Sequence, residues 1–286
     1  SRGQMNAPDD DPRTSDELFE SLLAFPDHYD DHDAWALIRL LQVRAGREVL
    51  ERALALLRHS TPSKRVLAAN LLAQLGSPQR AFPEESLAGL RALLANEDQP
   101  AVLASAATAF SHNADARAVP RLLALRSHSW PTVRLSVARA LGSQDKTPDV
   151  VTGLIELCRD PAPDVRDWAT FALGSLSEVD TPRVREVLLE RLEDSDSETR
   201  AEALVALAER KEERVLRYVI DALQDEPVGT LAVEAAWRLG LAGLASSELR
   251  SALIELTSWW DVDTELLSSA VAASLPEGPD GAVMSD

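Results

Sequence analysis

The chain has 286 residues, of which 45% are hydrophobic and 27% charged, so it carries enough apolar side chain to bury a large core. No apolar run approaches the roughly 18 residues of a membrane span, and a single cysteine, Cys158, excludes an internal disulfide and favours a reducing compartment. Aromatic residues make up only 5%, which favours helices over sheets, and the net charge of −18 argues for basic rather than acidic partners.

The N-terminal segment is polar and acidic. Residues 1–14 are predicted to be disordered, and the first four precede Met5, where the natural protein is expected to start. The segment lacks the basic and then apolar pattern of a signal peptide, so a cytoplasmic protein is expected.

Negative charge is concentrated at the two ends of the sequence. Residues 1–33 hold ten acids against two arginines, and residues 251–286 hold seven acids and neither lysine nor arginine. The body, 34–250, holds 30 acids and 27 bases. Phosphate binding requires a basic stripe, so this distribution argues against direct nucleic-acid binding and permits a basic protein partner.

The body is built from an internal repeat. Two segments that begin at Pro131 and Pro163 superpose without a gap on the pattern Pro-x-Val-Arg-x-x-Ala/Val-x-x-Ala-Leu-Gly. In chain order the six visible copies begin at Pro62, Pro100, Pro131, Pro163, Glu198 and Leu231. From the Pro131 copy onward the aligned copies are offset by 32, 34 and 32 residues, a period typical of solenoids whose repeats stack on one another.

Each copy predicts a helix, called A, that carries one apolar stripe of small residues, and in four copies a proline opens this helix. A second amphipathic helix, B, is predicted between copies, as at 148–159, 182–192 and 213–223. A final apolar helix is predicted at 266–275, with Asp261 or Asp263 as its N-cap. The sequence therefore predicts a single solenoid over residues 15–275 and a disordered acidic tail over 276–286.

This repeat pattern resembles HEAT repeats, particularly the short bacterial HEAT-like repeats of the bilin-lyase type. The resemblance implies an all-α fold, an α-solenoid (superhelix) of about seven two-helix repeats. Leu103 and Ala232 depart from the arginine position of the pattern. The family includes scaffolds, inhibitors, lyases, hydroxylases and DNA glycosylases, so the resemblance predicts the fold and leaves the function open.

Several residues receive a structural interpretation. The shared arginines, Arg65, Arg134, Arg166 and Arg200, are interpreted as inter-repeat ion-pair donors rather than as a phosphate ladder. The resemblance implies acidic partners in the loops, and Asp160 and Asp194 stand six residues upstream of two of these arginines. His59 and His128 share one position before helix A and are interpreted as loop caps, and Cys158 as a small buried hydrophobe.

The residues favour no catalytic chemistry. None of the five histidines precedes a glutamate, which excludes the di-iron site of HEAT-like hydroxylases, and no spacing suggests zinc. Trp168 beside Asp164 and Asp167 is faintly similar to the cleft of HEAT-like glycosylases, but the basic surface that such enzymes need is missing. Neither a phosphate loop nor a nucleophile motif is present. We therefore predict a protein that is not an enzyme and has no metal or cofactor.

Tryptophans and terminal acids are the candidate contacts. Trp168 stands where other repeats have serine or glutamate, which predicts an exposed side chain, either a contact or packed beneath a loop. The Trp259-Trp260 pair is either a binding knob or a cap over the end of the core, whereas Trp237 is expected to be partly buried. The candidate partner-binding residues are Trp130, Trp168, Trp259, Trp260, Asp261, Asp263 and Glu265.

Together these features predict a non-catalytic interaction scaffold that is monomeric without its partner and binds along its concave surface. One specific form is an inhibitor or immunity-type protein that neutralises a basic toxin or enzyme. The alternative is a bilin lyase or isomerase, whose groove would hold an anionic tetrapyrrole with arginine, lysine and aromatic side chains. A structural assembly module is the third possibility.

Overall fold

The computed structural model describes residues 11–25, 31–258 and 263–275, and within them all regular structure is helical. The chain forms two compact units, residues 1–153 and 154–286. The helices of the first unit are α1 Ser15–Leu23, α2 His32–Arg44, α3 Arg47–Leu56, α4 Pro62–Ala73, α5 Pro83–Asn96, α6 Pro100–His112, α7 Val119–Leu125 and α8 Pro131–Gly142. Helix α9, Pro148–Leu157, contains the boundary. The helices of the second unit are α10 Pro163–Gly174, α11 Pro182–Arg191, α12 Ser197–Glu209, α13 Leu216–Ala222, α14 Thr230–Leu241, α15 Ser247–Leu256 and α16 Thr264–Ser274.

Helix starts follow the predicted proline positions. The prolines predicted to open A helices are the first residues of α4, α6, α8 and α10. A missing N–H and a fixed φ suit the first helical turn, where no intrahelical bond is lost. The predicted B helices are also confirmed as α9, α11 and α13, with a short 3-10 turn, Glu213–Val215, taking the first residues of the last one.

In the first unit the A helices form one layer, in which α4 packs on α2 and α6, and α6 packs on α8. The B helices α3, α5 and α7 pack mainly on the A helix that follows each of them. Fully buried side chains such as Leu67, Leu71, Phe110 and Leu141 lie at these interfaces. The A helices have runs of consecutive buried residues, as in α4 and α8, because each packs on neighbouring A helices as well as on a B helix, so the core forms where helices stack.

The N-terminal prediction needs a correction. Thr14 caps α1 in a reciprocal capping box with Glu17, so the end of the predicted disordered segment is structured. Arg44 also donates to the backbone carbonyls of Asp11 and Arg13. Residues 1–10 and 276–286 lie outside the described residues.

In the second unit α10, α12, α14 and α16 form the A layer, and α11, α13 and α15 pack mainly on the A helix that follows. Small residues let the A helices approach closely, as the sequence predicts. A Cβ on Gly174 would lie 2.5 Å from the Cβ of Ala206, and one on Gly240 would lie 2.8 Å from the backbone of Ala273. The α10–α12 and α14–α16 interfaces therefore leave no room for a side chain at these glycines.

Arg210 is a buried cation at the end of α12, and only 8% of its surface is exposed. Its guanidinium donates to the carbonyl oxygens of Leu173 (3.0 Å), Gly174 (3.1 Å), Ser177 (2.7 Å), Val179 (3.1 Å) and Ala206 (2.9 Å). Burial lowers the pKa of Arg210 from its ordinary value. Among the described residues no carboxylate forms an ion pair with it, so carbonyl groups at and after the end of α10 stabilise its charge.

Cys158 is fully buried, as predicted for a small hydrophobe. The Thr170 hydroxyl lies 3.8 Å from its Sγ. Burial raises the pKa of the Cys158 thiol to about 12. In the part of the chain that the structure describes, no helix is both long and apolar enough to cross a bilayer.

Candidate functional site

The four arginines that share one position on the A helices are held in one orientation. The Nη1 of each donates to two backbone carbonyls, six and five residues upstream. The acceptors are His59 and Ser60 for Arg65, His128 and Ser129 for Arg134, Asp160 and Pro161 for Arg166, and Asp194 and Ser195 for Arg200. The position therefore ties the start of each A helix to its preceding loop.

Two of these guanidinium groups bind a carboxylate on their opposite edge. The Nε and Nη2 of Arg65 lie 2.7 and 3.1 Å from the oxygens of Glu97. Those of Arg166 lie 2.8 and 2.6 Å from Asp194, whose side chain is only 3% exposed. Both acids belong to the loop that precedes the next A helix. The ion-pair interpretation of these two arginines is therefore correct.

The identity of the acid in the second pair needs a refinement. Asp160 stands six residues upstream of Arg166, but it contributes its backbone carbonyl to that arginine, while the carboxylate comes from Asp194, further along the chain. Planar bidentate pairs of this kind stabilise the contact and also fix the relative orientation of the two side chains. These arginines therefore set the spacing of successive repeats, and the column is structural.

The two histidines before helix A cap their loops as predicted. Nδ1 of His59 accepts from the backbone N–H of Thr61 at 3.0 Å, and Nδ1 of His128 accepts from that of Trp130 at 3.2 Å. Each imidazole satisfies one N–H at a helix start. This hydrogen bond explains why a histidine stands shortly before helix α4 and again before helix α8.

The predicted tryptophan contacts have different surroundings. Trp130 is 57% exposed and stands at the N-cap of α8 in the first unit. Trp168, predicted to be exposed, is only half-exposed on α10 and packs edge-to-face on Phe171 with ring centroids 5.6 Å apart. Trp237 is partly buried, as predicted, with the Arg238 guanidinium 5.4 Å from its ring centroid.

The predicted acidic contacts lie at the last helix. Asp263 is the N-cap of α16, and its carboxylate accepts from the backbone N–H groups of Glu265 and Leu266, both at 3.0 Å. The capping prediction is thus confirmed for Asp263, and Glu265 is exposed in the first turn. Trp259, Trp260 and Asp261 lie outside the described residues, so the choice between a binding knob and a cap stays a prediction.

Charge is divided unequally between the two compact units. Residues 154–286 hold 28 acids against 12 lysines and arginines, a net charge of −16, whereas residues 1–153 hold 19 against 17, a net charge of −2. The near-neutral body seen in the sequence is therefore an average over two different halves. The second unit is the one suited to a basic partner.

Part of the negative charge of the second unit lies in a set of carboxylates on three successive A helices. We call this set the acidic face. Asp164 and Asp167 lie on α10, Glu198 and Glu202 on α12 with Asp196 at its N-cap, and Glu234 on α14. Asp164 and Glu198 are exposed, and the other four are half-buried. Within the described part of the chain, Glu234 alone among these acids forms an ion pair, with Arg238 at 3.0 Å. Glu202 and Glu234 were not predicted to be site residues, although they occupy the position of Trp168 in the next two repeats.

Burial, together with nearby like charges, raises the pKa values of two carboxylates on this face, Glu202 and Asp167. Burial raises the pKa of Glu202 to about 7, and the charges of Asp167 and Glu234 contribute to the rise. Burial likewise raises the pKa of Asp167 to about 6, with Asp196, Glu198 and Asp164 contributing. The two groups lose their protons between about pH 5 and 8, so the face becomes more negative over that range.

We expect Glu202→Gln to stabilise the protein at alkaline pH. A folded pKa of about 7 against an ordinary value of 4.5 means that stability falls as pH rises through this window. After allowance for solvent screening, the variant should gain about 1 kcal/mol in free energy of unfolding at pH 8. The gain should vanish at about pH 3, where the glutamate is protonated in both the folded and the unfolded state. Urea denaturation at both pH values measures this, with the exposed Glu178→Gln as control. An equal gain at both pH values would contradict it.

The acidic face does not form a metal centre. Among the described residues no group of three or more histidine, cysteine, aspartate or glutamate side chains is placed to hold a metal ion. The arrangement can attract cationic groups electrostatically.

Comparison with known proteins identifies the fold family. The model of HEAT repeats matches residues 87–174 and 151–240, together more than half of the chain. The chain belongs to the HEAT-repeat family. The HEAT-repeat resemblance inferred from the proline, arginine and small-residue positions is thereby confirmed.

Two further comparisons concern whole chains. Protein YibA of Escherichia coli K12 is 28% identical over 269 residues, which cover 90% of this HEAT-repeat chain and 89% of YibA. The X-ray structure of E. coli YibA matches with a TM-score of 0.70 at 25% identity, covering 92% of both chains. The complex of CpcE and CpcF of phycocyanin lyase from Nostoc matches only with a TM-score of 0.45 at 17% identity, covering 90% of this chain and 99% of that chain.

Proposed function

We propose that this HEAT-repeat protein is a non-catalytic cytoplasmic scaffold whose second unit binds a basic protein partner. The observation that supports this proposal is the acidic face, where half-buried carboxylates on α10, α12 and α14 repel one another. A cationic partner would relieve that repulsion. Stacked helix pairs also supply the extended, pre-formed surface on which solenoids bind macromolecules.

The specific form that we propose is an inhibitor or immunity-type protein that neutralises a basic toxin or enzyme. A net charge of −16 on residues 154–286 would steer a basic partner and speed its association. Because Asp167 and Glu202 ionise between about pH 5 and 8, the complex should be tighter at pH 8 than at pH 5.5.

Affinity capture followed by reconstitution tests the proposal. The tagged protein is used to capture partners from its native lysate, and the captured protein is purified and titrated by calorimetry in 50 and 300 mM salt. The variant neutralises the two exposed acids of the acidic face, Asp164→Asn and Glu198→Gln. The control makes the same change in charge on α15 with Glu248→Gln and Glu255→Gln, both exposed.

We expect a one-to-one complex with a basic protein that weakens at least tenfold at high salt and in the acidic-face variant but not in the control. Equal weakening in both variants would show that the face is not the contact. Capture of nucleic acid alone would overturn the proposal. Bilin absorbance after mixing with the protein would instead support the lyase alternative, to which a TM-score of 0.45 adds no argument.

A further inference from the structure

Arg200 differs from Arg65 and Arg166, which occupy the same position in their repeats and bind a carboxylate. Its Nη1 donates to the carbonyls of Asp194 and Ser195 at 2.7 and 3.2 Å, which is the orientation found in Arg65 and Arg166. Among the described residues, however, no side chain binds its Nε and Nη2. The acid in the corresponding loop is Glu226, which is exposed and forms no ion pair with Arg200 in the described part of the chain. A guanidinium edge that binds carboxylate in two other repeats is thus open here.

Arg200 lines a groove of about 620 Å³ between α12, α13 and the start of α14. Ala201, Leu204, Ala222 and Leu231 give the groove apolar lining. A groove in the first unit, lined mainly by α3 and α5, contains both Arg65 and its carboxylate partner Glu97. In the second unit the groove therefore offers an aliphatic surface beside an arginine whose carboxylate is missing.

The rim of the groove is acidic. Glu198, Asp221 and Asp225 lie along it. Among the described residues only Asp221 of these three forms an ion pair, with Arg217 at 3.7 Å, and both side chains are exposed. A bare anion would be repelled by these three groups. A segment that carries one carboxylate between cationic side chains would satisfy both Arg200 and the rim. An aliphatic side chain in the same segment would cover the apolar lining.

We propose that the Arg200 groove binds a short segment of the basic partner in which one aspartate or glutamate is flanked by lysine or arginine and follows an aliphatic residue. The carboxylate lies on the Nε and Nη2 of Arg200, and the flanking cations lie against Asp221 and Asp225. The identity of the protein that supplies the segment rests on the proposed function. The ability of the groove to bind a carboxylate does not depend on that function.

A defined peptide tests the site on the full chain. The probe is a hexapeptide with blocked termini and the sequence Lys, Lys, Leu, Asp, Lys, Lys. The control peptide has asparagine in place of the aspartate. Arginine Nε–Hε signals are followed by NMR during titration, and the Arg200 signal is assigned by its loss in Arg200→Lys. We expect saturable movement of that signal with a Kd on the order of 1 mM, since a single partly exposed ion pair contributes little.

The asparagine peptide should bind at least fivefold more weakly. Arg200→Lys should also bind at least fivefold more weakly, while its melting temperature should fall by no more than about 4 °C, because the change weakens only the two carbonyl bonds of the Nη1. Arg183→Lys, an exposed arginine on α11, is the control and should bind as wild type does. Equal binding of the two peptides would overturn the site. Movement of the Arg200 signal in Glu226→Gln without peptide would also overturn it, because the chain's own glutamate would then occupy the arginine.

The two proposals fail in different ways. A basic partner that Arg200→Lys captures as strongly as the wild type does would overturn the groove and leave the scaffold function in place. Peptide binding at Arg200 in a chain that captures no basic protein would overturn the scaffold function and leave the carboxylate site in place.

Discussion

Replacing Arg210 with alanine is expected to lower the free energy of unfolding of the second unit by about 4 kcal/mol, the largest effect of any single change considered. The substitution removes a guanidinium that is only 8% exposed and leaves carbonyl groups at the end of α10 without their donor. Each buried carbonyl that loses its partner costs about 1–3 kcal/mol, and partial access of water reduces the sum.

Urea denaturation followed by helical circular dichroism measures this loss. Arg217→Ala is the control, because this arginine lies on the neighbouring α13 with its side chain 85% exposed and should change stability by less than about 0.5 kcal/mol. Arg210→Lys should fall between the two, since an ammonium can reach fewer of the five carbonyls. A loss below about 1 kcal/mol for Arg210→Ala would contradict the role of Arg210 as a link between α10 and α12.

Breaking the Arg166–Asp194 pair is expected to cost about 3 kcal/mol for either single alanine variant. Asp194 is nearly buried, so its carboxylate needs a cationic partner. Loss of Arg166 removes a bidentate partner and leaves Arg191, at 2.9 Å, as the remaining ion pair of this carboxylate. Burial alone would raise the pKa of Asp194, but the Arg166 guanidinium and the N–H of Asp196 hold it below its ordinary value. Stability from this pair is therefore present above about pH 4 and lost as pH falls further.

A double-mutant cycle isolates the pair. Arg166→Ala, Asp194→Ala and the double variant should show a coupling energy of about 2 kcal/mol. Arg200→Ala is the matched control, because Arg200 makes the same two carbonyl bonds and has no carboxylate partner in the described residues. It should cost about 1 kcal/mol. Equal costs for Arg166→Ala and Arg200→Ala would show that the ion pair contributes nothing.

The fold could be predicted from the sequence because its cause is local and repeated. Proline stands at the first helical position of four A helices, and small residues along one stripe recur every 32 to 34 residues from α8 onward, so that each copy points to the same helix pair. His59 and His128 were predictable as caps for the same reason. A single helical segment does not show which other helix it packs on. The same pattern in several copies indicates that neighbouring repeats stack on one another.

The partners of the arginines were harder to predict, since a pairing depends on which loop comes close in space. Asp160 and Asp194 each precede an arginine by six residues, and only the structure shows that Arg166 binds the carboxylate of Asp194 from the next loop. Arg210 was missed for a similar reason. Its five acceptors are backbone carbonyls, which every residue carries and which leave no signature in the sequence.

The candidate site was the least predictable part. Aromatic side chains drew attention to Trp168, whereas the acidic face arises from glutamates at the same repeat position in α12 and α14. A single glutamate on a helix surface is ordinary, and only the stacking of three A helices brings these acids together. Charge counted over the whole body concealed them, because the basic residues of the first half cancelled the acids of the second.

The buried thiol has a practical consequence for studying the chain in solution. With its pKa raised to about 12, Cys158 stays protonated and shielded near neutral pH, so maleimide dyes should not modify it in the folded protein. A cysteine introduced at an exposed position would then be the one reactive thiol, without removal of the native residue. Fluorescent labels could be placed beside either proposed surface and used to follow partner association in real time.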